Sequence, residues 1–117
     1  MKKITLFLGG QNRDFHFGIG FIGMFLEKNN IKISDVMEFL QSNPFKAVPE
    51  LMYCSILFNY QRNGLTVDFD AWDVAEWIDE AGGINGAEVE QFSNAFLQSM
   101  TKDVPQSIEV KKKVTKK

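Results

Sequence analysis

The spacing of apolar residues changes from period two to helical between Lys3 and Glu27, and that change bounds what this 117-residue chain can fold into. Ile4, Leu6 and Leu8 alternate with Lys3, Thr5 and Phe7, and further on Asp14 and His16 alternate with Phe15 and Phe17. Such alternation is what strands with one buried face require. Between the two runs, Gly9-Gly10-Gln11-Asn12 has the composition of a hairpin turn. From Phe21 the apolar residues fall instead at Phe21, Ile22, Phe25 and Leu26, one face of a helix. A hairpin feeding a helix is expected, and no run after residue 30 alternates as a strand does.

The rest of the chain reads as capped helices. Ser34 is placed as an N-cap for Asp35 to Gln41, with Asp35 and Glu38 in the first turn, where the helix dipole favours acids. Ser42-Asn43-Pro44 interrupts that helix, because a residue before proline avoids helical backbone. Pro49 suits the first position of the next helix, about 14 residues or about 21 Å long. From Leu51 to Tyr60 that helix has almost no polar face. It is expected to be central and buried, with one face on the hairpin and the other on the acidic helices. Small residues at the strand-to-helix junction fit close packing there, through Gly23.

Asn63-Gly64 then ends the long helix. Asp70 as N-cap puts Asp73 at the third helical position, with Phe69 and Val74 placed to staple across the cap, and Gly82-Gly83 stops that helix. Asn85 with Glu88, and Ile84 with Val89, repeat the same signals for a last helix whose apolar stripe is Val89, Phe92, Phe96 and Met100. The fold expected is mainly α (α+β): an N-terminal two-stranded hairpin, then about five helices packed around a central apolar helix. Residues 1–103 form the single domain, and the Lys-rich 104–117 segment reads as a disordered tail.

Charge is distributed unevenly around a net of −2. From Asn63 to Thr101 there is no Lys or Arg, while Asp68, Asp70, Asp73, Glu76, Asp79, Glu80, Glu88 and Glu90 give a net of −8. From Lys102 onward six Lys face Asp103 and Glu109, a net of +4. An acidic folded half argues against a nucleic-acid-binding surface. No segment is apolar enough to cross a membrane, and Met1-Lys2-Lys3 leads into a short strand rather than a signal-peptide core. The lone Cys54 offers no disulfide. A soluble cytoplasmic domain is expected.

Several patterns imitate chemistry. Gly18-Ile19-Gly20-Phe21-Ile22-Gly23 matches a dinucleotide fingerprint, with Glu38 at the distance of its acid. That reading needs a second, parallel strand, and Glu38 lies in the helical run Val36 to Leu40. Asp68, Asp70, Asp73 and Asp79 resemble a calcium loop, but Asp73 stands where the loop needs Gly and Asp79 where it needs Glu. Capping accounts for those acids. A single His16 and a single Cys54 supply no catalytic pair. No enzyme, cofactor or metal site is expected. Trp77 fits the core of its amphipathic helix, whereas Trp72, in the first turn, divides evenly between core and partner contact.

Three stretches carry a family resemblance. Phe15 to Glu27, Asn43 to Tyr53 and Asp68 to Asp79 resemble, in order and spacing, the strand-into-helix, proline-broken long helix and acidic later helix of tailed-phage tail assembly chaperones. The resemblance spans residues 3–101 and rests on layout. It implies a phage or prophage protein in the host cytoplasm that binds a helical segment of the tape-measure protein before the tail tube polymerises. The tail tube protein is a further partner, self-association is open, and many members also have a longer frameshifted product. Aromatic and Met side chains beside an acidic face suit such a client. Trp72, Asp73 and Glu76 are the partner-binding candidates, since a first-turn Trp beside two acids has the best chance of facing outward. The rival reading is a small acidic adaptor or inhibitor that covers a basic or regulatory partner.

Overall fold

The computed structural model describes residues 3–103, with side chains described as far as Met100. The expectations for residues 104–117 lie outside the described residues. β1 (Lys3–Leu8) and β2 (Gln11–His16) form an antiparallel pair whose register runs unbroken from Lys3 opposite His16 to Leu8 opposite Gln11. The turn is Gly9-Gly10 alone, tighter than the four-residue turn expected, and Gln11 and Asn12 belong to β2. Gly9 and Gly10 have φ of 62° and 82°. Positive φ at both central residues is the signature of a two-residue turn whose twist matches the strands.

Five α-helices follow: α1 (Ile19–Asn29), α2 (Val36–Ser42), α3 (Pro44–Arg62), α4 (Ala71–Glu80) and α5 (Ala87–Asp103). The fold is mainly α, as its periodicity implies. Three helix starts differ from expectation. Ser34 does not cap α2. It lies inside a 3-10 turn, Ile33–Asp35, whose Asp35 carboxylate accepts the Lys32 N–H at 3.4 Å.

α3 begins at Pro44, so Pro49 lies inside a 19-residue helix instead of opening it. Asn43 O already accepts from Lys46 and Ala47 N–H at 3.1 and 2.9 Å, so the helix is under way before Pro49. The missing Pro49 N–H leaves only the carbonyl of Phe45 without its helical donor, at an exposed residue where water can replace it.

α5 starts one residue later than Asn85 would place it. Glu90 N–H bonds Gly86 O at 3.0 Å, which puts Gly86 at the cap and Glu88 at the second helical position. The turn before it is too tight for a side chain at the cap, since a Cβ on Gly86 would meet Ala81 O at 2.5 Å. The same shift takes Ile84 and Val89 out of the stapling positions, whereas the two expected helix stops hold. Leu65 N–H bonds Tyr60 O at 2.9 Å after α3, and Gly83 N–H bonds Ile78 O at 2.8 Å after α4, both the 6→1 bond of a Schellman stop.

α3 is the central helix, packed on β2, α1, α2 and α4, with Leu51, Met52, Cys54 and Ile56 buried. The two acidic helices have different main neighbours. α4 packs on α3, whereas α5 lies against the hairpin and α1. Phe92 sets its ring 5.5 Å from those of Phe15 and Phe17, and Phe96 reaches Phe17 and Phe21. Edge-to-face pairs of this kind add to the area term. Phe58 is only half-buried and covers Gly20, where a Cβ would come within 2.5 Å of its ring. Close packing at the junction therefore falls on Gly20 rather than Gly23, beside which a Cβ would meet nothing.

Arg13 joins these layers. It is 6% exposed; its Nε donates to Leu8 O at 2.7 Å, one terminal nitrogen to Gly9 O at 3.2 Å, and the other to the Tyr60 hydroxyl at 3.5 Å. Its guanidinium lies 3.7 Å from the centre of the Trp77 ring. Arg13→Ala would leave a void among Tyr60, Phe69 and Trp77 and strip two turn carbonyls of a charged donor. Urea unfolding should show a loss of about 2–4 kcal/mol, with the hairpin amides exchanging first.

Gly20→Ala gives an independent check. The added methyl must displace Phe58, costing about 1–3 kcal/mol, and most of that loss should vanish when Phe58 is already Ala.

Candidate functional site

α4 is built two-faced by its sequence. Val74 and Ile78 are buried, while Trp72, Glu76, Asp79 and Glu80 fall at i, i+4, i+7 and i+8 and are all exposed. Trp72 is 81% exposed, the most exposed large apolar side chain among the described residues. Such a residue on a well-packed domain is unusual enough to be informative.

The helix start that presents Trp72 is strongly fixed. Asp70 Oδ1 accepts the Asp73 N–H at 2.9 Å, and Asp73 Oδ2 accepts the Asp70 N–H at 2.9 Å, a reciprocal capping box. Phe69 and Val74, at the stapling positions, are both buried. Phe69 is held by the rings of Tyr53, Tyr60 and Trp77 at 5.9, 5.1 and 5.6 Å. Of the three candidates, Trp72 and Glu76 therefore share the outward face, separated by one helical turn. Asp73 is half-buried with a carboxylate oxygen committed to the cap, so its part is to hold the first turn in place. Trp77 turns inward onto Arg13, and a Cβ on Gly9 would meet its ring at 2.6 Å.

Several residues of the patterns that imitate chemistry have structural roles. Gly18 begins α1, with Ile22 N–H bonded to its carbonyl at 3.0 Å, and Gly20 is filled over by Phe58. Asp70 and Asp73 are occupied by the cap. Among the described residues no group of three or more His, Cys, Asp and Glu is placed to hold a metal ion. Burial pushes the Cys54 thiol up to about 12, with Glu50 adding to the shift and Lys28 opposing it. Such a thiol is protonated and inert at neutral pH.

Arg13 was not singled out by sequence reasoning. The available signal was a lone base within the alternating run Gln11 to His16, at a position sharing the face of Phe15. Its partners, Tyr60 and Trp77, come from distant parts of the chain. Among the described residues no helix is long and apolar enough to cross a membrane. No family model, no curated protein and no solved structure matches this chain.

The two tryptophans should separate cleanly. Trp72→Ala should change stability by less than about 0.5 kcal/mol, whereas Trp77→Ala should cost about 3–5 kcal/mol by opening the Arg13 cluster; chemical denaturation of both variants measures the contrast.

Cys54 adds a pH dependence. Its pKa is raised in the folded state from an ordinary value of 9.0, so its contribution to stability is complete below that value and is lost as pH climbs toward the folded value. Between pH 7 and 10 the wild type should lose roughly 1 kcal/mol more than Cys54→Ala.

Proposed function

We propose that this chain is a tail assembly chaperone of a tailed phage or prophage, working in the host cytoplasm. In this reading it binds and solubilises a helical segment of the tape-measure protein, and meets the tail tube protein as a second partner. The observation that carries the reading is the outward face of α4, an exposed Trp72 at the head of an acidic row formed by Glu76, Asp79 and Glu80. A helix laid along such a face gains an aromatic anchor from Trp72 and a favourable approach from the acids, provided it carries apolar and basic side chains of its own. The charge pattern supports it further, because the net −8 between Asn63 and Thr101 keeps that anchor in a solubilising setting.

The chemistry proposed is non-covalent. Binding an extended or helical client hides its apolar surface and lowers the concentration of free chains that can aggregate. No bond is made or broken, and the role requires no metal or cofactor.

The same run without bases favours one rival, a small acidic adaptor or inhibitor that covers a basic or regulatory partner through charge alone. The two readings differ in salt dependence. Isothermal titration with overlapping peptides of the tape-measure protein, identified from the long reading frame neighbouring the gene, decides between them. Trp72→Ala should weaken binding by about 2 kcal/mol, or about 30-fold, with an unchanged circular dichroism spectrum. Raising the salt to about 0.5 M should slow association yet leave the complex intact. Loss of all binding at that salt, with Trp72→Ala silent, is the adaptor's signature.

A further inference from the structure

The acids between Asn63 and Thr101 are not equivalent, and the fold leaves only some of them without a favourable field. Asp70 and Asp73 each accept the other's N–H in the cap of α4, and Asp68 stands just before that same helix start. Glu88 and Glu90 fall in the first turn of α5, where the helix dipole stabilises a carboxylate. Glu76, Asp79 and Glu80 remain, all on the outward face of α4. Asp79 and Glu80 lie at the C-terminal end of the helix, the negative end of its dipole, and no base shares that last turn. Among the described residues no Lys or Arg pairs with any of the three.

A cation is therefore the missing partner of this face, and the exposed Trp72 at its head offers a π surface to the same charge. The chain carries such a partner itself. Residues 104–117 hold Lys111, Lys112, Lys113, Lys116 and Lys117 against the single acid Glu109, and they follow directly on α5, which ends at Asp103.

The reach is sufficient. α5 starts beside the end of α4, since a Cβ on Gly86 would meet Ala81 O at 2.5 Å, and its 17 residues rise about 25 Å. Asp79 and Glu80 are therefore within about 30 Å of the point where residue 104 begins. An extended chain covers about 26 Å by residue 111 and about 46 Å by residue 117. Residues 111–117 can themselves span about 23 Å, more than the roughly 12 Å from Trp72 to Glu80 along the helix.

We propose that residues 111–117 lie along the outward face of α4 and cover Trp72, so that the chain occupies its own client site. Each exposed Lys–carboxylate pair is weak. The tether compensates, because a linked segment meets the face at an effective concentration in the millimolar range. Charge holds the contact, so it forms at low salt and is released when the Debye length shrinks to a few ångströms. A client must displace it, which raises the client's apparent dissociation constant by the inverse of the fraction of chains left open. That regulatory half rests on the client-binding reading, whereas the docking does not.

Paramagnetic broadening on the full chain tests the docking. Burial keeps the Cys54 thiol protonated, so a nitroxide attached to Thr115→Cys labels one position. At about 20 mM salt the Trp72 indole N–H and the amides of Glu76, Asp79 and Glu80 should lose at least half their intensity, and those of Glu88 and Glu90 much less. The effect should vanish at about 0.5 M salt. It should vanish equally in a chain carrying Glu76→Gln, Asp79→Asn and Glu80→Gln, all at exposed positions. Even broadening over the whole surface, broadening centred on the first turn of α5, or persistence in the triple variant overturns the proposal. For the regulatory half, Lys111→Gln with the same change at Lys112, Lys113, Lys116 and Lys117 should tighten binding of tape-measure peptides about three- to tenfold at about 0.1 M salt. Equal affinities in the two chains overturn the competition. If neither chain binds any peptide, the client reading fails and the competition with it, while the broadening pattern still decides the docking.

Discussion

The placement of one charged side chain, Arg13, governs how the hairpin meets the helices. A guanidinium removed from water is costly unless its donors are used and its charge is met. Here two donors are taken by the carbonyls of Leu8 and Gly9, a third reaches Tyr60, and the Trp77 ring supplies a π face at 3.7 Å. A cation against a desolvated tryptophan is worth about 2 kcal/mol. The arrangement needs the Gly9-Gly10 turn to stand close to α4, which is possible because Gly9 presents no side chain to the indole. Turn, the last turns of α3 and the inner face of α4 are thereby fixed relative to one another.

A two-stranded hairpin is marginal by itself and depends on what covers it. Phe15 and Phe17 supply that cover on the inner face by meeting Phe92 and, through Phe17, Phe96 and Phe21. Arg13 holds the turn end and the phenylalanines the far end, so the inner face is anchored at both. α3 packs on β2, where the Ser55 hydroxyl donates to His16 O. The outer face of β1 is left exposed at Phe7.

α4 combines structural and surface roles on opposite sides. Its inner side carries Val74, Ile78 and the indole that meets Arg13, and its outer side carries Trp72 with Glu76, Asp79 and Glu80. The reciprocal bonds of Asp70 and Asp73 fix the first turn in which Trp72 lies.

Periodicity and local capping chemistry were legible in the residues themselves. The alternation from Ile4 to Phe17, the Asp70–Asp73 box and the stripe from Val89 to Met100 each act within a few residues of chain. No distant contact overrode them. The starts of α2, α3 and α5 were less legible, because tight turns before them moved the caps: Gly86 displaced Asn85 under the carbonyl of Ala81, and Pro44 preceded Pro49. The contrast between Trp72 and Trp77 was legible, since Trp77 adjoins the inner stripe of Val74 and Ile78 while Trp72 shares the face of Glu76, Asp79 and Glu80. What local reasoning could not supply was the partner of Trp77, because Arg13 comes from a strand far earlier in the chain. Sequence by itself determined which segments become strands and helices, since those choices are made by neighbours in the chain. Only the tertiary structure decided which charge is buried and which glycine is crowded, since each depends on groups that meet through folding.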